Sequence, residues 1–425
     1  MKNLPEPKVG IIGVGITPFR ARYMDRTYFE LAFDATKMAL EDANQCGASI
    51  THNDLESTVY GIYNELFERQ FMPDIFTNSY LGMNDKPGTR IASGGATGGY
   101  TVRMAYAEVA SGLSDLCLCI GLEKCNDCYD EQTGTTTPEV LNAIAYSADM
   151  TYEYPMGMMA ASSYVSMVNA HYEEFGNPTE EQMAMVSVKN HGNAMLNPKA
   201  QSPMKISVED VLNSRIICYP FKMLDCCLYS EASAALIMAT PEKIKELGVD
   251  PGKVIWITGV AAANTDCFIG NREKVGRLYS NIEAAKGAYK MAGLDYNKIK
   301  DQIDVAELHD AFSGQEVISY EELGFVPFGE GGPWIEKTYE KPGEGPWLEG
   351  ELPCCPCGGL IGCGHAVGAT GIMSTGEAAL QLREEAGKHQ VPIEKGRALS
   401  HSIGGPGAAY AAVIVMENEE GLKTK

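Results

Sequence analysis

Apolar and polar positions divide the chain into short buried runs and longer mixed ones. The first run, Val9-Gly10-Ile11-Ile12-Gly13-Val14-Gly15, is apolar throughout, which predicts a strand covered on both faces. A helical repeat follows from about Tyr28 to Ala43. Residues 97–112 read as a second helix, and 114–121 as another buried strand. Glycine-rich turn, helix and strand in that order are βαβ grammar. Between about 125 and 215 the pattern changes to Met, Tyr and polar helix. There Asn177-Pro178-Thr179-Glu180-Glu181 marks a helix start with Thr179 as N-cap. This stretch reads as an insertion between strands, because strand patterning returns at 233–239.

A turn at 248–252 separates this half from a second one. Residues 254–260 read as a strand, 281–292 as a helix, 303–306 as a strand, and 313–323 and 374–387 as helices. Strands near 397–402 and 409–416 close the chain. Strand, helix, strand and Gly-rich turn recur in both halves, a weak internal duplication. Two α/β units are expected, residues 1–250 (with the insertion at about 125–215) and 251–425. Pro and Gly concentrate at 326–364, which predicts a long irregular loop.

Composition narrows the class. The 425 residues are 45% hydrophobic, ample for a large core. No apolar run reaches the roughly 18–20 residues that span a bilayer. The start, Met1-Lys2-Asn3-Leu4-Pro5, lacks a secretory apolar stretch, so a cytoplasmic protein is expected. Thirty-four basic against 56 acidic residues give a net charge of −22, which argues against nucleic acid or an anionic membrane as partner. A local basic patch can still hold an anionic small ligand. The early glycines spell GxxGxG rather than GxGxxG, and the helix starts too late for a dinucleotide site. The 13 cysteines are expected as reduced thiols. Cys117 and Cys119 alternate in an apolar run and read as core. Cys125-Asn126-Asp127-Cys128 is a lone CxxC, and Cys354, Cys355 and Cys357 cluster. A second CxxC or paired histidines at ligand spacing are missing, so no metal is expected.

Three Gly-rich turns, at 93–99, 358–371 and 404–407, meet the ends of regular elements. Glycine lets backbone approach a ligand, and amides at a helix start stabilise negative charge. His309 follows a strand in Glu307-Leu308-His309-Asp310-Ala311-Phe312, where α/β folds place ligands. His365 lies among small residues with no aliphatic face to make it core. His52, His171, His389 and His401 sit in polar contexts and read as surface or supporting residues, and His191 as either. Two imidazoles and backbone donors suit enolate chemistry: one ring moves a proton, another donates to an oxygen that gains charge. No GxSxG supports a serine hydrolase.

Eight blocks in order carry a resemblance along nearly the whole chain. They are Gly13-Val14-Gly15-Ile16-Thr17-Pro18-Phe19, Tyr154-Pro155-Met156-Gly157, Asn197-Pro198-Lys199-Ala200, Asp225-Cys226-Cys227, the His309 block, Gly358-Gly359-Leu360, Gly364 to Gly371, and Gln381-Leu382-Arg383. The chain resembles the thiolase superfamily, closest to its sterol-carrier-protein-type and archaeal branch. The resemblance implies two βαβαβαββ half-domains in a five-layered αβαβα arrangement, with the insertion covering the site. Met156, Gly157 and Phe312 are then expected to bind substrate. It also implies a homodimer core, an acyl-CoA substrate with coenzyme A as substrate moiety, no bound cofactor, and a separate small companion with a zinc ribbon and an OB-fold.

By the same resemblance, His365 matches the histidine that activates the family's nucleophilic thiol. His309 matches the one that helps bind a thioester oxygen, and Gly404 a backbone donor of the oxyanion hole. The thiols depart from the pattern: Gly95 stands where the family has its nucleophilic Cys, and Ala311 where it has a second one. Cys355-Pro356-Cys357 stands for Asn-Pro-Ser, and Ala366 for Pro. Three functions follow as expectations. The first is carbon–carbon bond making or cleavage next to a CoA thioester without an acyl-cysteine, of aldol type, on His365 and His309. The second is a β-ketoacyl-CoA thiolase or acyltransferase with a relocated thiol, for which Cys363, Cys357, Cys355 and Cys125 are the candidates. The third is a non-catalytic CoA-ester-binding subunit.

Overall fold

The computed structural model describes residues 8–126, 129–130, 135–136, 144, 146–338 and 351–424. Nine strands form its main sheet: β1 Gly10–Ile16, β2 Ser57–Gly61, β3 Gly88–Ile91, β4 Leu116–Lys124, β5 Glu231–Ala239, β6 Ile255–Asn264, β7 Val305–Glu307, β8 Arg397–Gly404 and β9 Tyr410–Glu417. Their spatial order is β7-β8-β9-β6-β1-β5-β4-β2-β3. The principal helices are α1 Tyr28–Gln45, α2 Pro73–Tyr80, α3 Thr97–Ala110, α4 Ala160–Phe175, α5 Glu180–Ala194, α6 Tyr279–Ala292, α7 Ser313–Glu322, α8 Gly331–Thr338 and α9 Val367–Leu382. Every residue of β1, β4, β5 and β8 is buried, as their unbroken apolar runs require for strands covered on both faces.

The duplication foreseen in the pattern is visible in the pairing. β2 and β4 pair in parallel, as do β7 and β8, while β4–β5 and β8–β9 are antiparallel. β1 and β6 meet antiparallel at the seam between the halves, with Ile11 opposite Ile255. Even β3, parallel to β2, has an abbreviated counterpart: Cys354 bridges Ala306 in parallel.

α3 touches β2 and β4 on one side and β8 and β9 on the other, and α9 likewise reaches both halves. β4 and β8 are five strands apart, about 24 Å in a flat sheet at normal strand spacing. One helix reaches both only because the sheet folds around it. α1 covers the outer side of β1, β4 and β5, and α6 that of β6 and β9. The result is five layers with α3 and α9 in the middle.

The centre also explains a correction. The helix expected at 374–387 is α9, which begins seven residues earlier, at Val367. Gly368 and Gly371 read as turn punctuation in the sequence. They are crossing points instead: a Cβ on Gly98 would lie 2.5 Å from the Gly371 nitrogen, and one on Gly371 closer still to Gly99. Two bare backbones are what let α3 and α9 share one layer.

A second correction concerns 326–364. That stretch is not one irregular loop, since it holds α8 and a turn of helix at Gly359–Cys363. Residues 339–350 lie outside the described residues, as do Asp127 and Cys128 of the CxxC. In the insertion, Thr179 caps α5 as expected, accepting from the Gln182 amide at 3.2 Å. No helix among the described residues is long and apolar enough to cross a membrane.

Candidate active site

All three Gly-rich turns and both histidines meet at one cleft of about 800 Å³, open to solvent at its mouth. Gly94 and Gly95, just before α3, form one wall with Gly404 and Gly405 at the end of β8. The insertion supplies the cover through Met159, Ala160, Ser163 and Tyr164 at the start of α4. Ala311 and Phe312 form another wall, with Phe312 stacked on Phe221 at 5.0 Å and tilted against Tyr164 at 4.9 Å.

His309 reaches the cleft because it follows the short strand β7. The next residue anchors it: Asp310 accepts from the Leu360 and Ile361 amides (2.5 and 3.2 Å) and from Asn190 Nδ2 (2.6 Å). Asp310 also belongs to a buried cluster with Glu316 and Cys355. Lys189 and Asn190 donate into that cluster, so it carries its own cation. His309 is 2% exposed, and neither ring nitrogen has a hydrogen bond among the described residues.

His365 sits at the turn into α9. Its amide donates to the Leu228 carbonyl (3.0 Å) and to Ser230 Oγ (2.8 Å). Its Nδ1 lies 2.9 Å from Thr370 Oγ1, whose single proton goes to the Ala366 carbonyl at 2.9 Å. Nδ1 must therefore be the donor, and Nε2 keeps its lone pair. The two imidazoles meet edge to face, 5.2 Å between centroids and 87° between planes.

Burial lowers the His365 pKa to about 4. Burial, with help from His365 and His401, holds His309 well below its ordinary value. Both rings are neutral at pH 7.

Two comparisons with known families bear on this arrangement. Residues 9–210 match the model described as Thiolase, N-terminal domain, and 261–417 the model described as Thiolase C-terminal domain-like. The chain belongs to the thiolase superfamily. It is 36% identical to an acetyl-CoA acetyltransferase of Methanothermobacter thermautotrophicus, over 96% of this chain and 98% of that one. Sterol carrier protein 2 of Oryctolagus cuniculus is 32% identical over 98% of this chain and 73% of its own length. The benzoylsuccinyl-CoA thiolase subunit BbsB of Thauera aromatica is 28% identical over 94% and 95%. Among solved structures, one described as an Ltp2-ChsH2(DUF35) aldolase has a TM-score of 0.77 at 23% identity, covering 98% of this chain and 99% of that one. At that identity it shows the fold alone.

Within this thiolase fold, residue 95 has no room for a side chain. A Cβ there would lie 2.6 Å from the Ile403 carbonyl oxygen and 3.0 Å from both Cε1 and Nε2 of His309. The imidazole of His309 fills the space a residue-95 side chain would enter.

The four thiols expected as relocated nucleophiles need correcting. Cys355 and Cys357 are fully buried and Cys363 is 1% exposed, and none lines the cleft. Two of them brace the His309 turn instead: Cys357 Sγ donates to Glu307 Oε2 at 3.0 Å, and Cys355 faces the Leu308 carbonyl at 3.7 Å. Cys125 is also fully buried, 3.9 Å from the His365 carbonyl. Met156, 86% exposed, and Gly157 form a surface turn outside the cleft, whereas Phe312 lines it.

Three histidines read as surface or supporting groups are buried, because each has a polar partner inside. His171 binds Glu321 Oε2 (2.7 Å), His389 binds Glu377 Oε2 (2.9 Å), and His401 binds Asn281 Oδ1 (3.1 Å). Sequence reasoning missed Tyr63, Tyr164, Cys227 and Tyr229, all in the lining. The 227/229 pair carried a usable signal, since alternate residues of an extended segment share a face.

Buried carboxyls near the site set a pH prediction. Burial raises Glu307 and Glu322 to about 8. Unfolded glutamates titrate near 4.3, so between about pH 5 and 8 the native chain holds the extra protons. Stability is therefore expected to fall as pH rises toward about 8 and to level off above it. The buried neutral histidines act with the opposite sign, and only below about 6.5. Urea midpoints measured at about pH 6.5 and about pH 8 should show the drop, and Glu307→Gln should make it smaller.

Proposed function

We propose that this chain makes or cleaves a carbon–carbon bond next to a CoA thioester by aldol-type chemistry, without an acyl-cysteine. The observation that carries the reading is the occupied space at Gly95. Covalent thiolysis needs a nucleophile there or nearby, and His309 stands in its place while both imidazoles face the cleft. The archaeal relative's name supports a CoA thioester as ligand.

In the cleavage direction, His365 Nε2 takes the proton of a β-hydroxyl. The Cα–Cβ bond breaks, a carbonyl forms at Cβ, and the electron pair passes into the thioester as an enolate. A ring N–H of neutral His309, with the Gly404 amide, holds the enolate oxygen. Neutral imidazoles suit both tasks: the base needs a free lone pair, and the donor must keep its proton.

The test is a panel of β-hydroxyacyl- and β-ketoacyl-CoAs, with and without prior iodoacetamide. The relative BbsB is named a subunit, which supports including a co-purified companion chain in the assay. Cleavage of a β-hydroxyacyl-CoA to a free carbonyl compound and a shorter acyl-CoA, with no acyl group left on the protein, is the expected result. Thiolysis of a β-ketoacyl-CoA abolished by alkylation and protected by acyl-CoA overturns it in favour of a relocated thiol. No turnover in any arm would favour a non-catalytic subunit.

A further inference from the structure

Cleavage as proposed leaves a carbanion that must be protonated at Cα, and the histidines are already assigned to the two oxygens. The donor has to come from elsewhere in the cleft. Residues 226–230 run between the two histidine segments. On one side Cys226 bridges Phe312 antiparallel, and on the other Tyr229 bridges His365 in parallel. The antiparallel register sets Cys227 directly opposite Ala311, and its amide donates to the Ala311 carbonyl at 2.9 Å. Side chains opposite each other in such a ladder share a face at about 5 Å. Cys227 and Ala311 both line the cleft, while Leu228 between Cys227 and Tyr229 points out to solvent.

The cleft also holds buried polar side chains aimed into it with nothing to bind. His309 has no ring hydrogen bond, and Tyr164, 7% exposed, has none at its hydroxyl among the described residues. A ligand between them is what their geometry lacks, and Cys227 borders that space.

We infer that Cys227 is a catalytic acid that protonates the α-carbon of the thioester enolate. This rests on the carbon–carbon reading above. The step balances without any co-reactant. The β-hydroxyl proton moves to His365, the Cys227 thiol proton moves to Cα, and the thiolate regains a proton from the His365 imidazolium. The hydroxyl proton is thus replaced on carbon, and nothing is oxidised or reduced. Burial holds the thiol well above its ordinary pKa, so it stays protonated at pH 7, as a donor must and a nucleophile must not. Two of the phenols are worse placed: Tyr63 is bound to Ser147, and the ring of Tyr229 lies stacked beside His365 at 6.3 Å. Tyr164 packs on Phe312 from the insertion's helix rather than from the segment between the two histidines.

The same proton, run backwards, gives an assay that needs no knowledge of the natural acyl group. Wild-type chain in D2O is expected to exchange the α-hydrogens of acetyl-CoA and propanoyl-CoA. Cys227→Ala should lower both this exchange and β-hydroxyacyl-CoA cleavage by about 100-fold or more, a normal loss for a general acid. Cys227→Ser, which keeps a proton donor, should fall between, and Leu228→Ala, whose side chain points out to solvent, should behave as wild type. Circular dichroism establishes that each variant is folded, and the serine variant serves if the alanine one is not.

Exchange and cleavage by Cys227→Ala at wild-type rates overturn the inference while leaving the carbon–carbon reading intact. So does loss of exchange in Tyr229→Phe with Cys227→Ala unaffected. An acyl group found on Cys227 by intact mass makes the thiol a nucleophile and overturns it as well. A wild-type chain that neither cleaves nor exchanges overturns the carbon–carbon reading and this inference together.

Discussion

His365→Gln is expected to reduce turnover of the cleaved thioester by about 10²–10⁴-fold, the range a positioned general base contributes. The loss should fall on kcat more than on KM, because the proton moves only in the transition state. Thr370 fixes the tautomer that leaves Nε2 free, so glutamine, which fills similar space without a basic nitrogen, isolates the proton transfer. With the His365 pKa held at about 4, the base stays competent far below neutrality. The wild-type acid limb should therefore fall near pH 4, not near an ordinary histidine's 6.5. Measuring kcat and KM for both proteins from pH 4 to 8 checks it. A variant with unchanged kcat removes His365 from the chemistry.

Gly95→Cys is expected to lower stability by about 3 kcal/mol and to give no thiolase activity, the upper end of what overpacking costs. The new Cβ would press on the Ile403 carbonyl at 2.6 Å, which is backbone and cannot rotate away. It would also meet the His309 ring at 3.0 Å. The turn has to open or His309 has to swing, and either movement disturbs the proposed oxyanion site. A denaturation midpoint and a β-ketoacyl-CoA thiolysis assay on the variant decide the matter. A variant as stable as wild type that performs thiolysis would mean the chain is a thiolase short of one side chain.

The strands were legible because apolar runs such as 9–15 and 114–121 must be covered on both faces. The same logic misplaced the start of α9. Gly368 and Gly371 break helices on propensity, and only a neighbouring helix with its own glycines makes them favourable. Of the histidines of the cleft, His365 was legible because it stood among small residues without an apolar reason to be there, and His309 because it ends a strand. His171, His389 and His401 were left between surface and supporting roles because their partners Glu321, Glu377 and Asn281 are remote or unmarked in sequence; burial beside those partners removes the surface alternative. The thiols failed in the same way. Cys355, Cys357 and Cys363 are close to the site in sequence, yet their turn faces Glu307, whereas Cys227, far from both histidines in the chain, lies between them in space.

The repeated topology has a consequence for where the chemistry resides. The Gly94-Gly95 turn enters α3 in one half just as the His365 turn enters α9 in the other, and the two turns open onto the same cleft. Equivalent places in the two copies have taken opposite characters, bare backbone in one and an imidazole in the other. Neither copy holds a complete set, so the cleft is a product of the pairing. Two identical turns facing each other would supply only one of the two characters. Because both turns lie on one chain and differ in sequence, one side can give up its side chain while the other keeps a base.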